Sequence, residues 1–310
     1  MSQSFAFVFP GQGSQHLGML SELAADNPII QDTFTEASGV LGYDLWDLVQ
    51  NGPEETLNQT DKTQPALLTA GVALWRLWLE KGGAKPDVVA GHSLGEYTAL
   101  VCAGAMSFVD GVNLVRLRGE YMQEAVPAGA GAMAAVLGLS DELIASSCDQ
   151  AGQGQVVSPV NFNCPGQVVI AGEKAAVERA QVACKEAGAK RVVPLPVSVP
   201  SHCALMKPAA EKLAAALANV PVIMPEIPVI QNVSAGVASD VDQLKTNLVE
   251  QLFSPVLWTN SVQTMVEQGI ERTVECGPGK VLSGLNKKIH KPLTLAAIND
   301  IAGMEGALAQ

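Results

Sequence analysis

Two hydrophobic patterns alternate along this chain: short apolar runs that end at a glycine or proline, and longer segments with apolar residues at helical spacing. The run Phe5–Phe9 predicts a buried strand that leads into a loop over Pro10–Gln15. The segment Thr60–Glu80, with Pro65 near its start, predicts a long buried helix. Strands that alternate with helices indicate an α/β protein with a parallel sheet.

The segment Asp87–Ala105 combines both patterns around one serine, Ser93. Apolar residues predict a short strand, Gly91 and Gly95 flank a sharp turn, and helical spacing begins at Leu94. This order matches the G-x-S-x-G nucleophile elbow, where a Cβ at either glycine would collide with the neighbouring strand or helix. The elbow predicts a serine nucleophile, and the backbone N–H of Leu94 would favour negative charge on a reacting oxygen. The alternative is a glycine-rich turn with no catalytic role.

A further helix is predicted from Ser107, whose spacing to Asp110 resembles a capping box, to about Glu124. Arg116 falls on the polar face of this helix and is predicted to be a solvated charge. Arg118 falls with the apolar stripe, where an unpaired guanidinium is costly, so it needs an anionic partner. That partner is either a carboxylate of this protein or the free carboxylate of a ligand.

After Gly129 the chain changes to shorter units in the order strand, helix, strand, strand, helix, strand. The predicted units are Met133–Leu139, a helix begun by Ser140, Val156–Phe162, a turn at Asn163–Gly166, Gln167–Ala171, Glu173–Ala187 and Arg191–Val197. This βαββαβ order is the ferredoxin-like pattern. Because the strongest motifs lie on both sides of it, we expect a small domain inserted at residues 128–198.

The remaining residues, 1–127 and 199–310, are predicted to form an α/β-hydrolase-like large domain with a parallel sheet core. Its later predicted elements are the helix Ala204–Leu217, the strand Pro228–Asn232, the helices Val241–Leu252 and Thr259–Gln268, the strand Arg272–Glu275 and a tight turn at Gly277–Gly279. We expect the substrate to bind in the cleft between the two domains.

Composition and charge narrow the class of protein. The chain has 310 residues, 48% of them apolar, which suits one large core and a smaller unit. Its 19 basic and 31 acidic residues give a net charge of −12, which argues against binding to nucleic acid or an anionic membrane. The first residues lack a positively charged start and no apolar run is long enough to span a membrane, so a cytoplasmic location is expected.

Metal and nucleotide sites are not indicated. The six cysteines are scattered without a C-x-x-C pair, which favours neither a disulfide framework nor a zinc site. A dinucleotide fingerprint in the first loop would need glycine at the position of His16. No metal ion is therefore expected at the site.

His202 follows the predicted strand that ends at Val197 and precedes an alanine-rich helix. A lone histidine near a helix start is by default a capping or packed residue. A serine elbow followed by a histidine after a later strand is, however, the order that a Ser–His pair needs, and histidine suits a general base near neutral pH. The other histidines fit less well, and the neighbouring thiol of Cys203 has no elbow around it.

Five segments carry a family resemblance: FVFPGQGSQ near the N-terminus, TQPALLTA at 63–70, GHSLGEY at 91–97, RLRGEYMQ at 116–123 and VPSH at 199–202. Together, in this order and across essentially the whole chain, they resemble the malonyl-CoA:acyl carrier protein transacylases of bacterial fatty-acid synthesis. The resemblance implies ping-pong transfer of a malonyl group from coenzyme A to the phosphopantetheine thiol of acyl carrier protein, through a malonyl-serine ester.

The resemblance also implies roles for individual residues. They are Ser93 as nucleophile, His202 as general base and acid, the backbone N–H groups of Gln12 and Leu94 as oxyanion hole, Arg118 as ligand of the malonyl carboxylate, a carbonyl acceptor at Gln251 as orienter of the histidine, and Gln64 and Asn232 as supporting residues. A Ser–His dyad is expected, because no acidic residue lies in a motif that marks it as a third member. No cofactor is expected, since the coenzyme A thioester is a substrate, and the protein is expected to be a monomer.

Two other classes of function stay open from sequence. A serine hydrolase would share the elbow and the histidine, and would differ in letting water reach the acyl-serine. A non-catalytic acyl-CoA or carrier-protein binding module would not need both residues. If an acidic carrier protein docks, a local basic patch must offset the charge of −12. The candidates are a first cluster of Lys185, Lys190 and Arg191 and a second cluster of Lys280, Lys287, Lys288 and Lys291.

Overall fold

The computed structural model describes residues 4–197 and 199–310, which form one parallel and one antiparallel sheet with helices packed against them. The strands are β1 (Phe5–Phe9), β2 (Val88–Gly91), β3 (Gly131–Leu137), β4 (Val157–Cys164), β5 (Gln167–Glu173), β6 (Arg191–Pro194), β7 (Val229–Ile230), β8 (Arg272–Glu275) and β9 (Thr294–Ala297). The helices are α1 (Ser21–Asp26), α2 (Pro28–Leu41), α3 (Leu45–Asn51), α4 (Glu54–Leu57), α5 (Thr60–Glu80), α6 (Gly95–Cys102), α7 (Phe108–Ala125), α8 (Asp141–Gly152), α9 (Lys174–Glu186), α10 (Lys207–Leu217), α11 (Val241–Glu250), α12 (Trp258–Glu267), α13 (Val281–Ile289) and α14 (Ile301–Leu308).

The five-stranded sheet has the order β7-β2-β1-β8-β9, and each neighbouring pair is parallel. The central strand β1 is apolar on both faces, so helices cover the sheet on both sides. Phe7 and Phe9 join the larger core on one face, while Ala6 and Val8 join the second core on the other. The α/β class with a parallel sheet is confirmed.

Helix α5 runs behind this sheet and has the predicted bounds. Its aromatic side chains meet the central strand: the ring of Phe7 lies edge-on to Trp75 at 5.4 Å and to Trp78 at 5.2 Å. The first turns of α5 also carry Gln64, fully buried and directed toward the ends of the strands. The apolar residues of α5 therefore pack the core behind the sheet, and the start of the same helix contributes to the wall of the cleft between the two sheets.

The four-stranded sheet has the order β4-β5-β3-β6 and is antiparallel throughout. Helices α8 and α9 cover one face and enclose a separate core with Val136, Ile144 and Val177. The other face packs toward the parallel-sheet unit, where Met133 and Val160 meet Cys203. The predicted order of strands and helices in this segment is confirmed.

Two predicted boundaries in the antiparallel sheet were wrong. Strand β4 continues through Cys164, so the connection to β5 is only Pro165 and Gly166 and not the longer turn expected from Asn163. Gly166 has φ +74, a conformation that glycine adopts without strain. Strand β6 ends at Pro194, three residues before the predicted end at Val197.

Other segments depart from the predicted elements or were not predicted. The predicted helix from Ala204 begins with a 3₁₀ turn and becomes α-helical only at Lys207, which precedes a proline at a first-turn position. Helices α1 to α4, α13 and α14 and strand β9 were not predicted, and all of them except the 14-residue α2 have at most nine residues. No helix among the described residues is long and apolar enough to cross a membrane. Residues 1–3 and 198, which the predicted domain ranges include, lie outside the described residues.

Candidate active site

The nucleophile elbow joins β2 to α6 and places Ser93 at its corner with φ 51, a left-handed conformation that costs a non-glycine residue energy. The flanking glycines are required sterically. A Cβ on Gly91 would lie 1.8 Å from the carbonyl carbon of Gly95, and one on Gly95 would lie 2.0 Å from the carbonyl oxygen of Phe9. The tight packing of strand, turn and helix therefore holds the serine in its strained geometry.

Two side-chain amides hold the backbone of Ser93 in place. Its N–H donates to Asn232 Oδ1 at 2.7 Å, and its carbonyl oxygen accepts from Gln251 Nε2 at 3.0 Å. Asn232 in turn donates through Nδ2 to the carbonyl oxygen of Gly91 at 2.6 Å. These bonds offset part of the strain at the elbow and are made by residues far away in the chain.

His202 faces the serine, with Nε2 2.7 Å from Ser93 Oγ. Its Nδ1 lies 2.6 Å from the backbone carbonyl oxygen of Gln251, which can only accept, so Nδ1 carries the proton and the Nε2 lone pair faces Ser93. His202 is buried and has φ 65. Burial, followed by the nearby charge of Arg118, lowers the pKa of His202 to about 3, so the ring is neutral at neutral pH.

Arg118 is 1% exposed and lies beside the serine. Its Nη1 donates to Gln64 Oε1 at 2.8 Å, and its Nη2 donates to Gln251 Oε1 at 3.0 Å and to Ser93 Oγ at 3.3 Å. The Nε atom is buried and has no partner among the described residues. No Asp or Glu in the described part of the chain makes an ion pair with Arg118. The positive charge of its guanidinium is therefore not neutralised by a carboxylate in direct contact.

Arg116, two residues earlier, has a different environment. It is half-buried and donates to Glu120 Oε1 at 2.5 Å and to Asn113 Oδ1 at 2.9 Å on the same helix. The predicted contrast between the two arginines is thus confirmed, although Arg116 is ion-paired and not freely solvated. Its partner at i+4 is the usual one for a surface helix.

Gln12 and Leu94, whose backbone amides are the predicted oxyanion hole, line the same cleft as Ser93. Among the hydrogen bonds of the described residues, neither N–H has a protein acceptor. Leu94 precedes the first residue of α6, where free N–H groups and the helix dipole favour negative charge. The two amides are therefore available to an oxyanion.

The cleft lies between the two sheets and has a volume of about 110 Å³. Its walls are apolar on the side of the antiparallel sheet, from Met133, Leu195 and Val197, and polar around Ser93. This volume is below the roughly 300 Å³ of sites that hold drug-sized ligands. The cavity beside the serine therefore suits a short acyl group.

Two other candidate residues have structural partners. His92 also lines the cleft, but its Nε2 lies 2.8 Å from Asn163 Oδ1 and its ring packs against Trp258. Cys203 is buried and its Sγ donates to the carbonyl oxygen of Pro200 at 3.1 Å. Burial raises the pKa of Cys203 to about 11, so its thiol is not ionised near neutral pH and is a poor nucleophile.

Sequence reasoning missed Glu96, which lies on the first turn of α6 and has no exposed surface. It accepts hydrogen bonds from the side chains of Gln251 and Gln231 and from the backbone N–H of Asn232. Burial raises the pKa of Glu96 to about 7. The available signal was that Glu96 is the only charged residue of α6, which is otherwise mostly apolar.

Comparison with known proteins places this chain in a family. The acyl transferase domain model matches residues 6–299. A malonyl CoA-acyl carrier protein transacylase of Salmonella typhimurium is 60% identical over 306 residues, which cover 99% of each chain. Among solved structures, an acyl carrier protein S-malonyltransferase of Vibrio cholerae is 60% identical, with a TM-score of 0.96 over 98% of this chain and 99% of that one. A malonyl-transacylase solved in complex with its type II PKS acyl-carrier protein is 58% identical, with a TM-score of 0.98 over 99% of both chains. The chain therefore belongs to the malonyl-CoA:acyl carrier protein transacylase family of acyl transferases.

Proposed function

We propose that the protein transfers a malonyl group from malonyl-CoA to the phosphopantetheine thiol of acyl carrier protein, and so supplies fatty-acid biosynthesis. One observation carries the proposal: Ser93 Oγ lies 2.7 Å from His202 Nε2 and 3.3 Å from Nη2 of the buried Arg118. A nucleophile, its base and a cation without a carboxylate partner therefore meet at one point. An acyl group with its own carboxylate, such as malonyl, supplies the anionic partner that Arg118 lacks.

In the first half-reaction, Ser93 Oγ attacks the thioester carbonyl while His202 Nε2 takes the hydroxyl proton. The oxyanion is stabilised by the backbone N–H groups of Gln12 and Leu94. The carbon–sulfur bond then breaks, and His202 gives its proton to the departing coenzyme A thiolate. The product is a malonyl ester on Ser93 and free coenzyme A.

The second half-reaction reverses these roles. His202 takes the proton of the phosphopantetheine thiol, and the thiolate attacks the ester carbonyl at the same oxyanion position. The ester bond to Ser93 breaks, and the proton returns from His202 to Ser93 Oγ. One binding site therefore serves both thiols in turn, which gives ping-pong kinetics.

A Ser–His dyad is supported by the acceptor at Nδ1. The backbone carbonyl of Gln251 fixes the tautomer without adding a full negative charge beside the ring. A carboxylate at that position would repel the malonyl carboxylate that Arg118 is proposed to hold. Gln64 and Gln251 support the role of Arg118 by fixing its guanidinium, and Asn232 supports Ser93 by accepting from its N–H.

The finer description of the fold is part of the same proposal. We infer an α/β-hydrolase-like domain over residues 1–127 and 199–310 and an inserted ferredoxin-like domain over residues 128–198. The inserted domain is supported by its β-α-β-β-α-β order, by the strand order β4-β5-β3-β6 and by its separate apolar core. We further propose that the enzyme acts in the cytoplasm as a monomer, and that coenzyme A takes part only as the thioester substrate.

The test is the intact mass of the protein after brief exposure to malonyl-CoA and to other acyl-CoAs. We expect one malonyl group to be added, Ser93→Ala to prevent its addition, and acyl carrier protein to remove it. Ser201→Ala is the matched control, because Ser201 lines the same cleft outside the elbow, and it should retain the label. A label on Ser93→Ala contradicts the serine ester. Release by water as fast as by carrier protein would instead indicate a hydrolase.

A further inference from the structure

Glu96 is a buried carboxylate to which the mechanism above gives no role. Its side chain has no exposed surface, and no Lys or Arg among the described residues forms an ion pair with it. A buried charge without an ionic partner is costly, even when neutral donors satisfy it. Three such donors surround Glu96, and each belongs to the supporting structure of the site.

The two carboxylate oxygens divide these donors. Oε1 accepts from Gln231 Nε2 at 3.1 Å, while Oε2 accepts from the backbone N–H of Asn232 at 2.8 Å and from Gln251 Nε2 at 2.9 Å. All three donor residues are at most 1% exposed. Glu96 is therefore the common acceptor that joins the end of β7 to the end of α11, directly behind the elbow.

Glu96 makes the shortest of the contacts that fix which way the amide of Gln251 points. The Nε2 end of this amide faces three acceptors, Glu96 Oε2 at 2.9 Å, the carbonyl oxygen of Ser93 at 3.0 Å and Asn232 Oδ1 at 3.5 Å. The Oε1 end faces the donor Nη2 of Arg118. The reversed amide would set a donor against the Arg118 guanidinium and an acceptor against the carboxylate. Only the observed orientation satisfies all of these neighbours.

We propose that Glu96 is a positioning residue for carboxylate recognition, which acts through the amide of Gln251 to hold the guanidinium of Arg118 where the acyl carboxylate binds. This inference rests on the proposed function. The geometry that carries it is a chain of two hydrogen bonds, from Glu96 to Gln251 at 2.9 Å and from Gln251 to Arg118 at 3.0 Å. Glu96 touches neither the acyl group nor the reacting atoms.

The same amide also binds the carbonyl oxygen of Ser93, so a change at Glu96 affects the nucleophile as well. The two effects are separable. Disturbance of Ser93 slows transfer of every acyl group, whereas displacement of Arg118 slows only an acyl group that bears a carboxylate. The ratio of kcat/KM for malonyl-CoA to that for acetyl-CoA cancels the first effect and retains the second.

Glu96→Gln is the decisive substitution because it keeps the shape, removes the negative charge and replaces one acceptor oxygen by an NH₂ donor. The remaining oxygen is a neutral and therefore weaker acceptor for Gln251 Nε2, and the NH₂ group faces at least one of the surrounding donors, so the hold on the Gln251 amide weakens whichever way the new amide points. We expect the malonyl-to-acetyl ratio to fall about tenfold, the order expected for loss of one hydrogen bond to a charged group. Glu275→Gln is the matched control.

Glu275 is also a fully buried carboxylate, but it accepts from the backbone N–H groups of Leu282 and Ser283 at the start of α13 and does not border the cleft. Its substitution should lower stability and leave the ratio unchanged. A ratio within twofold of the original in folded Glu96→Gln overturns the inference, as does an equal fall in Glu275→Gln. Failure of the unaltered protein to prefer malonyl-CoA would instead refute the proposed function.

The unaltered protein offers a second test that needs no folded variant. Burial raises the pKa of Glu96 to about 7, and protonation below that pH removes the negative charge and turns one acceptor oxygen into an O–H donor, which is the change that Glu96→Gln mimics with its NH₂ group. The titratable and charged groups that face Glu96 are Arg118 of α7, which stays charged, and Tyr97, whose pKa is raised to about 12 and which stays neutral. His202, which also contacts the Gln251 backbone, stays neutral above pH 5 because its pKa is about 3. The ratio should therefore fall as the pH is lowered from 8 to 6, and a constant ratio over this range overturns the inference.

Discussion

At the scale of single residues, two arginines on one helix illustrate how position decides role. Arg116 and Arg118 are two residues apart, which turns their side chains to different faces of α7. Arg116 forms an ion pair with a carboxylate on its own helix. Arg118 is buried and donates hydrogen bonds to the side-chain amides of Gln64 and Gln251. Burial lowers the pKa of Arg118, yet an arginine keeps its charge at neutral pH. Its Nε atom is buried and has no hydrogen-bond partner within the described ranges.

Arg118→Ala should therefore change the preference between acyl groups. Malonyl transfer loses its cationic partner, while acetyl transfer no longer leaves a buried guanidinium unpaired. We expect the malonyl-to-acetyl ratio of kcat/KM to fall by about a hundredfold. Arg116→Ala on the outer face is the matched control and should leave this ratio unchanged. An equal fall in both variants would mean that the loss arises from α7 as a whole.

His202 is a residue whose role depends on remaining neutral. His202→Ala should slow both acylation of Ser93 and transfer to carrier protein by roughly 10²–10⁴-fold, because each half-reaction loses its proton acceptor. The measurement is single-turnover kinetics for each half-reaction. His16→Ala, in the exposed first loop, serves as the control. Near-normal rates in His202→Ala would contradict the general-base role and would show that the histidine serves only in packing.

At the scale of secondary-structure elements, the site depends on how closely β2, the elbow and α6 pack. Gly91→Ala places a Cβ 1.8 Å from the backbone of Gly95, which neither element can avoid without moving. We expect a loss of several kcal/mol in the free energy of unfolding, in the range of severe overpacking, and loss of acylation at Ser93. Urea denaturation and intact mass measure the two effects.

The control for this substitution is Gly39→Ala. Gly39 lies in α2, and no atom lies within 4 Å of the position that a Cβ would take. Alanine there should raise stability by about 0.5–1 kcal/mol, because glycine is the poorer helix former. Normal acylation by a folded Gly91→Ala protein would show that the elbow tolerates a wider turn than its contacts indicate.

At the scale of the whole molecule, one lysine from each predicted basic cluster lies near the hairpin between β4 and β5. Lys190 of the first cluster packs over Gly138, and the N–H of Gly138 donates to the carbonyl oxygen of Gly166 at 2.8 Å. Lys288 of the second cluster donates to Gln167 at 3.2 Å, one residue further along. Lys190 and Lys288 thus form an exposed basic surface beside the hairpin between β4 and β5, on a protein with a net charge of −12.

Reversal of two charges on this surface should weaken docking of an acidic carrier protein. We expect Lys190→Glu with Lys288→Glu to raise the KM for carrier protein several-fold and to leave malonyl loading from malonyl-CoA unchanged. Added salt should raise the KM of the unaltered protein in the same direction. Lys81→Glu with Lys85→Glu, near the start of β2 and thus at the opposite end of the sheet from the elbow, is the control. Identical carrier-protein kinetics in both double variants would exclude this surface.

The sequence by itself determined the features that depend on local spacing. Strand β1, helix α5, the capped start of α7 at Ser107 and the elbow around Ser93 all follow from apolar periodicity, caps and glycines within a few residues. The buried face of Arg118 follows from the same helical period. Ends of elements were less predictable, as at Cys164 and Pro194, because the ladder partner and not the local sequence decides where a strand stops.

Only the tertiary structure decided which of these residues meet. Ser93 and His202 are 109 positions apart in the chain, and the amide of Gln251 reaches the carbonyl of Ser93 across 158 positions. No local pattern marks Glu96 or Gln251 as members of one network, because each is defined by donors and acceptors that folding brings from β2, β7, α7 and the end of α11. The physical reason is that hydrogen bonding and burial depend on neighbours in space, whereas periodicity reports only neighbours in sequence.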